Sequence, residues 1–141
     1  MAEHMECCVS FRIKGDSLDP QEITELLQVE PDTAHKKGDS NSRISNKGKL
    51  IEYSPFSSGL WAIDSKMDRT VPLEKHIMSI LVMLQSSKVR LTELFSRGYE
   101  MDVFCGVFIR SCPQPGFDIC SSVLQSLGEL NISFGLCIYC T

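Results

Sequence analysis

No run of apolar residues in this chain approaches the length of a membrane span. The longest, residues 77–84, is interrupted by Ser79 and falls far short of the roughly 20 residues that a bilayer requires. A membrane-crossing helix is therefore excluded, and no membrane partner is expected. The first residues, Met1, Ala2, Glu3, His4 and Met5, hold no basic segment followed by an apolar run, so no secretory signal is read. The glycine-rich phosphate loops, the nucleophile elbow, the H-E-x-x-H helix and the EF-hand loop are all missing, and with them the common nucleotide, hydrolase, metalloprotease and calcium sites. Positive charge is the minority sign: 14 Lys and Arg against 18 Asp and Glu leave a net charge of −4, which speaks against nucleic acid as a partner. Histidine is scarce, with three in the chain, so few side chains are suited to general-base work or metal ligation. No catalytic residue, metal or cofactor is assigned on this basis.

What the chain does have is the material of one core. Its 141 residues are 43% hydrophobic and 23% charged, an ordinary globular balance, and they fit a single domain spanning 1–141. Cysteine is abundant and odd in number, at seven. Without a secretory signal, and at a size that needs no staple, these cysteines read as reduced thiols in a cytoplasmic protein. Cys137 and Cys140 form a C-x-x-C, but they fall in a strand pattern, where positions i and i+3 point to opposite faces and cannot share a metal or a disulfide.

Residues 7–14 alternate Cys7, Val9, Phe11 and Ile13 with Cys8, Ser10, Arg12 and Lys14, the period of a half-buried strand. Asp19 as cap and Pro20 at the first helical position then open a short helix bearing Ile23, Leu26 and Leu27, which Pro31 stops. Residues 33–48 are polar and aperiodic and predict a long loop; its His35 to Lys47 portion lacks apolar anchors. Residues 49–53 and 60–63 predict short strands. Leu73, Ile77, Ile80, Leu81, Leu84, Leu91, Leu94 and Phe95 recur at helical spacing, predicting one long helix with a break near Ser86 and Ser87, closed by Gly98. Residues 99–110 read as a long strand, residues 118–127 as a helix capped by Asp118 with Cys120, Val123, Leu124 and Leu127 inward, and residues 132–140 as the last strand. The order β-α-β-β-α-β-α-β predicts an α+β fold with a mixed or mainly antiparallel sheet and about three helices, and suggests ferredoxin-like, split βαβ halves.

Chemistry is thinly marked. Between residues 35 and 49, Lys36, Lys37, Arg43, Lys47 and Lys49 outnumber Asp39, but no aromatic side chain is interleaved to stack bases, so a solvated loop is the expectation. In residues 99–110 both faces are apolar: Met101, Val103, Cys105, Val107 and Ile109 on one, Phe104 and Phe108 on the other. Something must cover the second face, and with three helices available an intrachain cover is expected, leaving a groove beside Phe104, Phe108 and Trp61. Arg12, Trp61, Phe104 and Phe108 are therefore the candidate ligand-binding residues, although for Trp61, the sole tryptophan, anchoring the core is the commoner role. An enzyme built from Arg12, Trp61, His76 and Asp102 around a cleft is the rival reading.

Phe11, Arg12, Ile13 and Gly15, then Asp19, Pro20, Ile23, Thr24, Leu27 and Pro31, then Gly59, Leu60 and Trp61, and finally Gly98, Tyr99, Asp102, Phe104, Cys105, Gly106, Gly135 and Leu136 resemble the domain-of-unknown-function family numbered 4279. The resemblance runs along nearly the whole chain on dispersed positions. It implies a small, mainly bacterial, cytoplasmic protein without assigned reaction or cofactor, and it transfers no functional residue. The reading that follows is a non-catalytic binding or interaction module, of which an immunity-type protein is one concrete form. It would be a monomer or homodimer whose partner is an unknown protein or a small ligand, with an enzyme of unrecognised class or a small-ligand sensor as alternatives.

Overall fold

The computed structural model describes residues 5–110 and 116–140. Eleven elements follow in order: β1 (Met5–Gly15), α1 (Pro20–Leu27), β2 (Thr33–His35), β3 (Asn41–Ile44), β4 (Leu50–Tyr53), β5 (Gly59–Asp64), α2 (Leu73–Leu84), α3 (Lys88–Ser96), β6 (Glu100–Ile109), α4 (Ser121–Glu129) and β7 (Ser133–Cys140). The fold is α+β.

Five strands form the main sheet in the order β2-β5-β1-β6-β7, antiparallel throughout except for the β6–β7 pair. Two orientations follow from these pairings. β2 runs parallel to β1 with β5 between them, and β5 runs parallel to β6 with β1 between them. The units β1-α1-β2 and β5-α2-α3-β6 are thus split βαβ units interleaved in one sheet, and β6-α4-β7 adds a parallel crossover at one edge.

Local chemistry explains the helix ends. Asp19 accepts a hydrogen bond from Gln21 N at 3.2 Å, Pro20 supplies the first helical residue, and Gln28 closes α1 in the left-handed region at φ 57°. The long helical stretch is broken where the spacing suggests, near Ser86 and Ser87, into two helices. Ser87 is buried between α2 and α3, and its N–H reaches Leu84 O at 2.9 Å, closing the first helix before the second begins. Gly98, at φ 93°, ends α3.

One apolar core fills one face of the sheet. Cys7, Val9, Phe11 and Ile13 from β1, Trp61 and Ile63 from β5, and Met101, Val103, Cys105 and Val107 from β6 meet Ile23 and Leu27 of α1, Ile77, Ile80 and Leu84 of α2, Leu91 and Leu94 of α3, and Val123 and Leu127 of α4. All four helices therefore lie on that face.

Two expectations are corrected. Residues 33–48 are not one long loop: they contain β2 and β3, and β3 pairs with β4 as a two-stranded hairpin through Asn41↔Tyr53 to Ile44↔Leu50. Its base is pinned to the sheet side by reciprocal backbone bonds, Gly38 N to Phe56 O at 2.7 Å and Phe56 N to Asp39 O at 3.1 Å, with His35 stacked on Phe56 at 3.5 Å between ring centroids. The last helix begins at Ser121 after Cys120, not at Asp118, because Glu74 of α2 takes the Cys120 N–H. Cys120 and Leu124 are consequently exposed while Val123 and Leu127 point inward. Among the described residues no helix is long and apolar enough to cross a membrane.

Candidate functional site

The face of the sheet turned away from the helices carries the candidate site. Register decides which side chains share it. β1 pairs Arg12 with Asp102 and Ser10 with Phe104, and β6 pairs Phe104 with Gly135, Gly106 with Cys137 and Phe108 with Tyr139. Directly opposed residues point to the same side, so these groups line up across three strands.

At one end Arg12 grips Asp102 with two hydrogen bonds, Nε to Oδ1 at 2.9 Å and Nη2 to Oδ2 at 2.7 Å, and Lys14 Nζ lies 3.7 Å from the same carboxylate. The Asp102 hydrogen bond raises the Arg12 pKa above its ordinary value, fixing the cation. That guanidinium lies 4.5 Å from the centre of the Phe104 ring. At the other end Phe108 stacks on Tyr139, with centroids 4.7 Å apart and planes 13° from parallel, and Arg69 sits 5.1 Å from the Phe108 centroid. Gly106 lies beside both rings, where a Cβ would meet Phe108 at 3.6 Å and Tyr139 at 3.7 Å, ordinary van der Waals contact. Ser10 extends the polar side of the face by donating to Asp64 Oδ1 at 2.6 Å. The face thus presents two cation-on-aromatic units beside a string of neutralised charges, and each unit favours planar and anionic groups of a partner.

The expected intrachain cover is not there. Among the described residues no helix lies over Phe104 and Phe108, which are half-buried, with Arg12 on the first ring and Arg69 and Tyr139 on the second. Trp61 does not join them. It is fully buried on the helix side, its indole N–H donating to Thr24 Oγ1 at 3.0 Å and its ring edge-on to Phe11 at 6.4 Å. Of the four candidate residues the structure brings together Arg12, Phe104 and Phe108. Alternation within the strands had separated the faces, but which face of residues 60–63 meets the core depends on the pairing Ile13↔Trp61, a contact between segments far apart in sequence. Tyr139 and Arg69 went unread: Tyr139 carries the right alternation, whereas Arg69 sits in a loop and gives no periodic signal.

The rival constellation is likewise divided. Arg12 and Asp102 touch, Trp61 is in the core, and His76 lies beneath the connection that links β5 to α2. His76 is 1% exposed, with Nδ1 2.7 Å from Ser65 Oγ. Burial pushes its imidazole below the usual histidine range, against the opposing pull of the Val71 and Asp68 carbonyls. The Ser65 hydroxyl also accepts from Met67 N at 3.3 Å, so the pair ties down residues 65–72. A cavity of about 250 Å³ opens beside it, lined by Cys8, Ser10, Asp64, Met67 and Arg69 among others.

Among the described residues no three His, Cys, Asp or Glu side chains converge as a metal site. Cys137 is in register with Gly106 on the open face and Cys140 with Ile109 on the helix face, so the C-x-x-C diverges. Cys112 and His4 lie outside the described residues.

The sequence model of the family described as Domain of unknown function (DUF4279) matches residues 5–141. No curated protein and no solved structure matches the chain.

Proposed function

From the premise that the chain belongs to the DUF4279 family, to which no activity is assigned, we propose that it is a non-catalytic protein-binding module working through the open face of its sheet. A single observation carries this reading: Phe104, Phe108 and Tyr139 stand on a sheet face that no helix covers among the described residues, with Arg12 and Arg69 on the phenylalanine rings. Aromatic side chains and arginine are the residue types that concentrate binding energy at protein interfaces, since they bury large areas with little loss of rotamer freedom. The rings of Phe104, Phe108 and Tyr139 lie on the sheet surface itself and do not line an enclosed cavity among the described residues, which suits another protein surface better than a buried small ligand. Asp102 already neutralises Arg12, leaving Arg69 as the cation for a partner carboxylate or aromatic ring. An immunity-type inhibitor in a reducing cytoplasm is one concrete form of such a module, and a ferredoxin-like core extended by β7 is the scaffold we assign to it.

The test is a partner capture with the wild type, Phe108→Ala and Arg69→Ala, using Leu124→Ala on the helix side as control. The first two should weaken a captured complex about 30-fold, the scale of a 2 kcal/mol hot spot, while keeping their circular dichroism. Equal capture by all four proteins would remove the open face from the function.

A further inference from the structure

The two edges of the sheet are built differently. β2, at one edge, is three residues long and runs into Lys36 and Lys37 and the pinned base of the hairpin. β7, at the other, is eight residues long and among the described residues pairs only with β6. Its sequence, Ser-Phe-Gly-Leu-Cys-Ile-Tyr-Cys, has no charge and no proline, the devices by which free edges are normally blocked. Its helix-side residues, moreover, are not covered. Phe134, Leu136 and Ile138 are in register with the fully buried Val103, Cys105 and Val107, yet they stay 38%, 40% and 50% exposed. Leu124 of the neighbouring α4 is 49% exposed as well.

We propose that β7 pairs antiparallel with β7 of a second copy of this chain, making a closed two-fold dimer with one continuous ten-stranded sheet. Three arguments select a second copy. In a two-fold strand pair the residue on the axis meets its own copy and every other residue meets the position equally far beyond the axis, so an uncharged strand meets its copy with no like charges opposed. β7 carries no charge, and a partner recognised by opposite charge finds nothing there to recognise. The apolar stripe is also self-complementary in a definite way. With the axis perpendicular to the sheet and centred on Leu136, Leu136 meets its copy, Phe134 meets Ile138, and all six side chains lie on the helix side. Finally, the blocked β2 edge cannot accept β7, so pairing stops at two chains and does not run on into a filament. This association leaves the open aromatic face free and is independent of the function proposed above.

Sedimentation equilibrium on the full chain reads the outcome. The wild type is expected at twice the chain mass, and Leu136→Lys at the monomer mass with unchanged circular dichroism, its dissociation constant raised at least about 30-fold. Where the lysine variant loses its fold, Leu136→Thr, which keeps strand propensity, takes its place. Independently, Leu136→Cys in a chain whose other exposed cysteines are serine should form an interchain disulfide under mild oxidation, because residues opposed across an antiparallel pair bring their Cα atoms within disulfide range. A wild-type monomer at the highest soluble concentrations, a dimer indifferent to the Leu136 substitutions, or no cross-link at residue 136 would each overturn the proposal.

Discussion

His76 is a buried side chain that makes stability depend on pH. Burial disfavours its charged form, so its pKa in the folded chain lies below the unfolded value of about 6.5. Between the two values the unfolded chain binds the proton more readily, and stability therefore falls as pH drops through about 6.5 and is fully present above it. Denaturant titrations between roughly pH 5 and 8 should show that slope, and His76→Gln should flatten it; an equal slope in both proteins would assign the acid sensitivity elsewhere. The cysteines divide by the same physics. Burial raises the Cys7 thiol and pushes Cys105 up to about 12, whereas Cys8 is exposed on the open face. In the native protein a thiol reagent should label Cys8 quickly and leave Cys7 and Cys105 unmodified, and all seven cysteines should titrate as thiols once the chain is unfolded without reductant. A total below seven would point to a disulfide or a bound metal. At this scale the sequence was readable where alternation is strict: Arg12, Phe104 and Phe108 share a face because they share strand parity with their neighbours. Trp61 sits in the core, the commoner place for a sole tryptophan, but its parity alone does not choose the face, which a partner strand about 50 residues away fixes.

At the scale of elements, strands and helices with strong periodicity could be read from the chain, and those held by tertiary contacts could not. β1, α1, β6 and β7 fall where alternation and capping put them. α4 starts at Ser121 and not at a cap on Asp118: Glu74 of α2 accepts from the N–H of Cys120, the residue before the helix, a contact that local capping rules cannot anticipate. β4 falls within the strand expected at residues 49–53, but β3 and its pairing into a hairpin do not show in the sequence. The hairpin's strands expose Arg43, Ile44, Leu50 and Tyr53 and bury little, so hydrophobic alternation, the usual signal of a half-buried strand, is absent. A two-stranded ribbon without a buried face is marginal in water. Its cross-strand amides, such as those of Arg43 and Ile51, should exchange with solvent several orders of magnitude faster than those of Val9 or Cys105 in the sheet centre. Comparable protection in the two places would mean that the hairpin packs against something further.

The whole molecule is an asymmetric layer: helices and core on one side, an aromatic and arginine-rich surface on the other, one edge blocked and one bare. Phe108→Ala tests the open side and Leu136→Lys the bare edge, and the two should separate cleanly because their side chains lie on opposite faces of the sheet. The α+β class and the single core follow from composition and periodicity, whereas the strand order and the absence of a cover over Phe104 and Phe108 depend on long-range pairing. The pinned base of the hairpin carries one more implication. Because Gly38 and Asp39 already bond to Phe56, the chain leaves and re-enters the domain at nearly the same point. The intervening residues close on a short span, and their length and composition are therefore decoupled from the core. This position is a socket in the fold: segments of other sizes can be spliced into it, by evolution or by design, while the five-stranded sheet beneath keeps its register.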